Sequence, residues 1–107
     1  RAHLSAVAEA VAKSGGDPKI IGVATLSASA VLVAEDTEEL KLVGRAAAYA
    51  AARSEAQKQL HSASSVGNAA MEAAKAVGLK PTPIKTIAAR AASQALLEEL
   101  RFDNNTK

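Results

Sequence analysis

His3 and His61 are the only imidazoles in this 107-residue chain, and there is no cysteine. They lie far apart in sequence, and neither has a second His or Cys at metal-ligand spacing, so exposed helix positions are expected rather than a zinc site. Without a thiol, disulfides and thiolate catalysis are closed to the chain. Glu38 and Glu39 are adjacent carboxylates, as are Glu98 and Glu99. Neighbours on a helix point about 100° apart, so neither pair forms a poised acid–base dyad and both read as solvated surface. The Ser62–Ser65 run has no aromatic neighbour on which a nucleobase could stack, and no G-x-S-x-G, H-E-x-x-H or Walker phosphate loop occurs. These residues supply no self-contained catalytic centre. The expectation is a non-enzymatic protein with no cofactor, no metal and no evident small-molecule substrate.

The stretch most suggestive of a binding function is "GLKPTPIKTIAAR", residues 78 to 90. As a joint between two bundle helices it is well punctuated. Gly78 closes one helix in the left-handed conformation, Thr82 caps the next, and Pro83 takes the first helical position, where its missing N–H is not needed. Pro81 keeps Lys80 out of the helical region. Asp17-Pro18 repeats the same device earlier in the chain.

The spacing of Ala74, Gly78, Ile84 and Ile87, at i, i+4, i+10 and i+13, resembles the helix-turn-helix family of DNA-binding motifs over Ala70 to Arg90. In that family a small residue lets the first helix approach the second, the glycine makes the turn, and two apolar residues pin the recognition helix. The resemblance implies that Thr82, Lys85, Thr86 and Arg90 face DNA bases or phosphates. Only two of these are cations, and Glu98 and Glu99 follow on the same helix and oppose phosphate binding. Nucleic-acid binding therefore ranks below a protein partner.

The elements that must position these residues are read from composition. Ala supplies 27 of the 107 residues, and the only aromatics are Tyr49 and Phe102. Ala loses no rotamer entropy in a helix and has no polar group to bury. The prediction is an all-α protein, one Ala-rich bundle of about four to five helices forming a single domain over residues 1–107. Leu4, Val7, Ala8 and Val11 recur at helical spacing from 2 to 13. Gly15 or Gly16 ends that helix, and Asp17 caps the next with Pro18 at its first position.

Residues 20 to 34 contain no charge and read as a central helix buried on most sides. At fifteen residues the run is short of the ~20 a membrane span needs, so a membrane role ranks third. Its β-branched residues, Ile20, Ile21, Val23, Val31 and Val33, leave a minor strand reading open. Asp36 and Glu39 resemble a capping box for a helix from Thr37 to about Ser64. On that helix Leu42 and Tyr49 share a side with Leu60, and Arg45 and Arg53 lie close to it. One helix from 37 to 78 would be roughly 60 Å long, so a break is expected at "SSVGN", residues 64 to 68, followed by a short helix from 68 to 77.

The last helix changes face. Ile84, Ile87, Ala91 and Ala95 share one side at 100° per residue, and Leu96, Leu97 and Leu100 lie roughly opposite. Either the N-terminal helix covers these leucines or a second subunit does. Ala buries little area, so an Ala-rich bundle has reason to gain area by association. Net charge is only +2 and there is no long block of one sign, so composition names no acidic or basic partner. The chain opens on Arg1 rather than Met, which reads as a processed product or a fragment, and it contains no signal-peptide pattern. The leading expectation is a structural or assembly protein. It would form a homo-oligomer or serve as a small subunit of a larger complex or filament, with Leu96, Leu97 and Leu100 as its interface.

Overall fold

The computed structural model describes residues 2–29 and 37–106, in which all regular structure is helical. The order is α1 (Ala2–Lys13), α2 (Pro18–Ser29), α3 (Thr37–Ala56), α4 (Ala63–Val77) and α5 (Pro81–Thr106). The all-α bundle read from Ala content is what the chain forms.

Local chemistry sets most boundaries. Leu4 and Ala8 are buried along the inner stripe of α1, which is followed by Gly15 at φ +90°. Asp17 caps α2, its Oδ1 accepting from the Ile20 amide at 2.9 Å and its carbonyl from Ile21 at 2.9 Å. Pro18 then takes the first helical position, as expected.

α2 is not buried on most sides. Ile21, Gly22 and Thr25 face inward, while Ile20 and Val23 are about half exposed, at 53% and 50%. A run without charge is not a run without an outer face; α2 lies at the edge of the bundle and needs only one apolar stripe. Gly22 sits where a Cβ would collide with the Ala73 carbonyl and come within 2.7 Å of Ala76 Cβ, so α2 and α4 pack almost backbone to backbone. Thr25 is fully buried and bonds back to the Ile21 carbonyl at 2.6 Å. Residues 30–34, with Val31 and Val33, and the Asp36 half of the expected capping box lie outside the described residues.

The break between the third and fourth helices comes earlier than 64 to 68. α3 ends at Ala56, α4 starts at Ala63, and residues 57–62 make the joint. Ser62 is the N-cap. Its Oγ accepts from the Ser65 amide at 3.0 Å, and Ser65 Oγ accepts from the Ser62 amide at 2.8 Å. This is a capping box in which Ser replaces the usual Glu or Gln. Gly67, which suggested the break, lies inside α4.

Gly78, at φ +100°, closes α4 as expected, its N–H donating to Lys75 O at 3.0 Å. The start of α5 differs from expectation. Pro81, not Pro83, is the first helical residue, and the Lys80 carbonyl accepts from Ile84. Thr82 is therefore inside the first turn rather than at its cap. Both prolines fit, because none of the first amides of a helix has an intrahelical acceptor.

Packing is organised around α3. It touches all four other helices, and α1, α2, α4 and α5 follow one another round it, each against the next. The ring is open, because α1 packs on α2 and α3 and does not reach α5. One core cluster joins α3, α4 and α5 through Ala52, Val66, Ala70, Ile84 and Ile87. The other joins α1 to α4 through Leu4, Ile21, Leu40, Val43 and Val77. Ala occupies most of the buried apolar positions. Gly44 extends that thinness: a Cβ there would strike Leu79 Cδ1, so the joint between α4 and α5 closes down on α3 at that point.

Candidate functional site

The outer half of α5 is the first candidate. Ile84, Ile87, Ala88, Ala91, Ala92 and Ala95 are buried against α3 and α4. Beyond Ala95 the predicted change of face takes place, but the three leucines part company. Leu96 is half-buried against the chain's own core, while Leu97 and Leu100 are 55% and 61% exposed. On a helical wheel Leu96 stands about 40° beyond Ala92, at the edge of the buried arc, and Leu97 and Leu100 lie past it. The N-terminal helix does not cover them, since α1 makes no contact with α5.

The second candidate is the open side of α3, between α1 and α5. Leu42, Arg45, Ala46, Tyr49 and Arg53 follow one another there at helical spacing. Tyr49 donates its hydroxyl to Glu98 Oε1. Arg53 lies 4.0 Å from the same oxygen and reaches Glu9 on α1 at 3.7 Å. This polar strap ties α1 to α5 across the gap that none of the described helices fills. Burial raises the Tyr49 pKa above its ordinary value, the hydrogen bond and the charge of Glu98 add to that, and Arg53 opposes them. Glu98 is thus a structural partner rather than free surface, a role that no spacing within α5 announces.

Nearer the start of α5 is a cleft of about 380 Å³ between the helices, lined by Arg45 of α3 and Thr86, Ile87, Arg90, Ala91 and Gln94 of α5. Of the four residues proposed for DNA, Thr82, Lys85, Thr86 and Arg90 are all exposed, and Ala74, Ile84 and Ile87 are buried as pins. The structure nevertheless separates the two cations. Lys85 and Arg90 are five residues apart on a continuous helix, so they point about 140° apart. Thr86 and Arg90 share a stripe with Gln94, facing Arg45. Arg45 is the residue that sequence reasoning left out; its only signal was its closeness to the Leu42 and Tyr49 side of α3.

The two histidines and Glu38 lie elsewhere. His3 is exposed on α1, and His61 lies exposed in the 57–62 joint with Nδ1 at 2.9 Å from the Lys58 carbonyl. Glu38 pairs with Lys41 at 3.5 Å, one turn along α3. Leu60, expected beside Leu42 and Tyr49, is in the joint and 89% exposed. Among the described residues no group of three or more His, Asp or Glu is placed to hold a metal ion. No helix among them is long and apolar enough to cross a membrane. No buried side-chain nitrogen or oxygen among them lacks a hydrogen-bond partner, so the interior holds no polar group waiting for a ligand. The chain matches no protein-family model, no curated protein and no solved structure.

Proposed function

We propose that this is a non-enzymatic helical assembly protein, acting by self-association or as a small subunit of a larger complex through the outer face of α5. The observation that supports this reading is the exposure of Leu97 and Leu100 at the end of a helix whose inward stripe is already satisfied by Ile84 through Ala95. Large apolar side chains at consecutive turns of one face mark contact surface more often than isolated ones do.

Magnitudes limit the strength of such a contact. Burying a fully exposed Leu is worth about 1.5–3 kcal/mol, so two half-exposed leucines on each of two subunits supply roughly 3–6 kcal/mol. Association itself costs about 4–15 kcal/mol in lost freedom. The pair alone gives weak self-association, and a stable contact needs further area, supplied by the rest of α5 or by a second patch. Ile20 and Val23 of α2 are such a patch, on a helix that does not touch α5. Two separate apolar patches suit a small subunit with neighbours on two sides better than a tight isolated dimer.

The test is Leu97→Glu with Leu100→Glu, followed by sedimentation over a range of concentrations together with circular dichroism. The wild type should gain mass with concentration, and the double variant should remain monomeric and helical. A wild type that stays monomeric to millimolar concentration, with no change on substitution, removes self-association.

A second reading, a helix-turn-helix DNA-binding protein, is favoured by the α4–Gly78–α5 geometry with its buried pins and exposed Thr82, Lys85, Thr86 and Arg90. It ranks below assembly because Lys85 and Arg90 diverge round the helix. If it holds, Lys85→Ala with Arg90→Ala weakens duplex binding and flattens its salt slope. The membrane reading of residues 20–34 is weaker still: the 12 residues of α2 rise about 18 Å, against ~30 Å of hydrocarbon.

A further inference from the structure

The charges around the open side of α3 are unevenly settled. Glu98 is engaged by Tyr49 and Arg53, Glu9 by Arg53, and Glu38 by Lys41. Of the smaller clefts, one is lined by Glu9 with Arg53 and Lys13 and another by Asp17 and Glu55 with Lys58, so each holds both signs, while a third shares Arg45 and Gln94 with the α3–α5 cleft. The cleft between α3 and α5 is not balanced. It holds Arg45 and Arg90, no carboxylate lines it, and neither arginine has an ion pair among the described residues. Two arginines lining one recess give it a positive lining, which favours an anion there.

We propose that this cleft is a binding site for a small phosphate monoester, with the phosphoryl group between Arg45 and Arg90 and the organic group on the apolar floor of Ile87 and Ala91. The donor set selects phosphate over a simple carboxylate. Two planar guanidinium forks and the Thr86 hydroxyl offer more donors than two carboxylate oxygens accept, whereas a phosphoryl group presents three oxygens. Gln94 directs its amide nitrogen toward Glu98 at 3.5 Å, leaving its carbonyl as an acceptor for a ligand hydroxyl. At about 380 Å³ the recess is at the small end of the ~300–1,000 Å³ range of ligand pockets, which suits a small monoester. Both arginines are exposed, so the site is built on the surface of a closed core and its loss leaves the core intact.

The experiment is a titration of the isotope-labelled protein with inorganic phosphate, phenyl phosphate and a short random-sequence DNA duplex, followed by NMR. The proposal expects saturable shifts at Thr86, at Ile87 and at the Arg45 and Arg90 guanidinium groups, with phenyl phosphate binding more tightly than inorganic phosphate because its ring covers Ile87 and Ala91. Arg45→Gln and Arg90→Gln should each weaken binding about tenfold or more, since each removes charge-assisted hydrogen bonds. Lys85→Gln, about 140° round the helix from Arg90, should leave it unchanged. Non-saturable shifts spread over all surface cations overturn the proposal. So does DNA binding that is tighter than phenyl phosphate binding and equally weakened by Lys85→Gln, which would instead support the DNA reading. Because the wild-type shifts locate the site by themselves, a variant that failed to fold would not remove the test.

Discussion

Tyr49, Arg53 and Glu98 show how a few polar side chains replace a missing helix contact. Tyr49 is partly buried and aims its hydroxyl at a carboxylate that Arg53 also approaches. Tyr49→Phe keeps the ring and deletes only that hydrogen bond. A hydrogen bond to a charged group is worth about 1.5–3 kcal/mol, and the half-exposed setting places the expected loss near the lower end, about 1–2 kcal/mol by chemical denaturation. The pH dependence has a defined sign. The Tyr49 pKa is raised in the folded protein, chiefly by burial and then by Glu98. Above pH 10 the unfolded chain releases the phenol proton while the folded chain keeps it, so stability should begin to fall there and go on falling as pH rises through the folded value. Tyr49→Phe should lose that alkaline limb; an unchanged limb would show that Tyr49 does not set it. None of this strap was legible in the sequence. Tyr49 and Arg53 are one turn apart and were read together, but Glu98 is 49 residues further on, and its adjacency to Glu99 suggested only solvated surface.

At the scale of elements, the boundaries carried by local hydrogen bonding were the legible ones. Asp17-Pro18 and Gly78 act within three or four residues of themselves, so their residue types suffice to place a helix end. The joint at 57–62 was missed because "QKQLHS" has neither Gly nor Pro; its stop signal is the reciprocal pair Ser62 and Ser65. A break was required because one helix from 37 to 78 would be too long, and it was placed at "SSVGN", where Gly67 weakens a helix. Two substitutions separate the roles. Ser62→Ala removes the acceptor of the Ser65 amide and should cost about 1 kcal/mol. Gly67→Ala places a methyl where no atom lies within 4 Å and should stabilise by up to ~1 kcal/mol, from helix propensity and reduced unfolded-state freedom. A loss at Gly67→Ala would mean that the face is covered by another molecule. Gly22→Ala has the opposite expectation. Its Cβ meets backbone of α4, which cannot swing away, and about 1–3 kcal/mol of overpacking should appear as a lower denaturant midpoint. The face change on α5 was legible from 100° arithmetic, but the width of its buried arc, which takes in Leu96, depends on how closely α3 and α4 approach. Likewise the Arg45–Arg90 cleft pairs two helices that no sequence period connects.

At the scale of the whole molecule, a core made mostly of Ala sets the stability that association can change. The few large buried side chains, among them Ile21, Val43, Val66, Ile84 and Ile87, are divided between two clusters, so no single cluster is deep. A thin core of this kind has little free energy in reserve, and burial of Leu97 and Leu100 against a neighbour adds to it directly. This coupling has a measurable form. If the folded protein associates and the unfolded chain does not, mass action makes Tm depend on concentration. For a two-fold pair well above its dissociation constant, each tenfold rise in concentration is worth about 0.7 kcal/mol per subunit. With 4–8 °C per kcal/mol for a domain of this size, Tm should rise by about 3–5 °C per tenfold increase. The Leu97→Glu/Leu100→Glu variant should show a single Tm at every concentration, equal to the dilute limit of the wild type, because exposed carboxylates on an outer helix face burden the monomer little. A flat wild-type Tm would show that no second copy of this chain covers the leucines. A variant Tm well below the wild-type dilute limit would show that they serve the bundle itself, and the interface would then have to be sought on the Ile20 and Val23 face of α2.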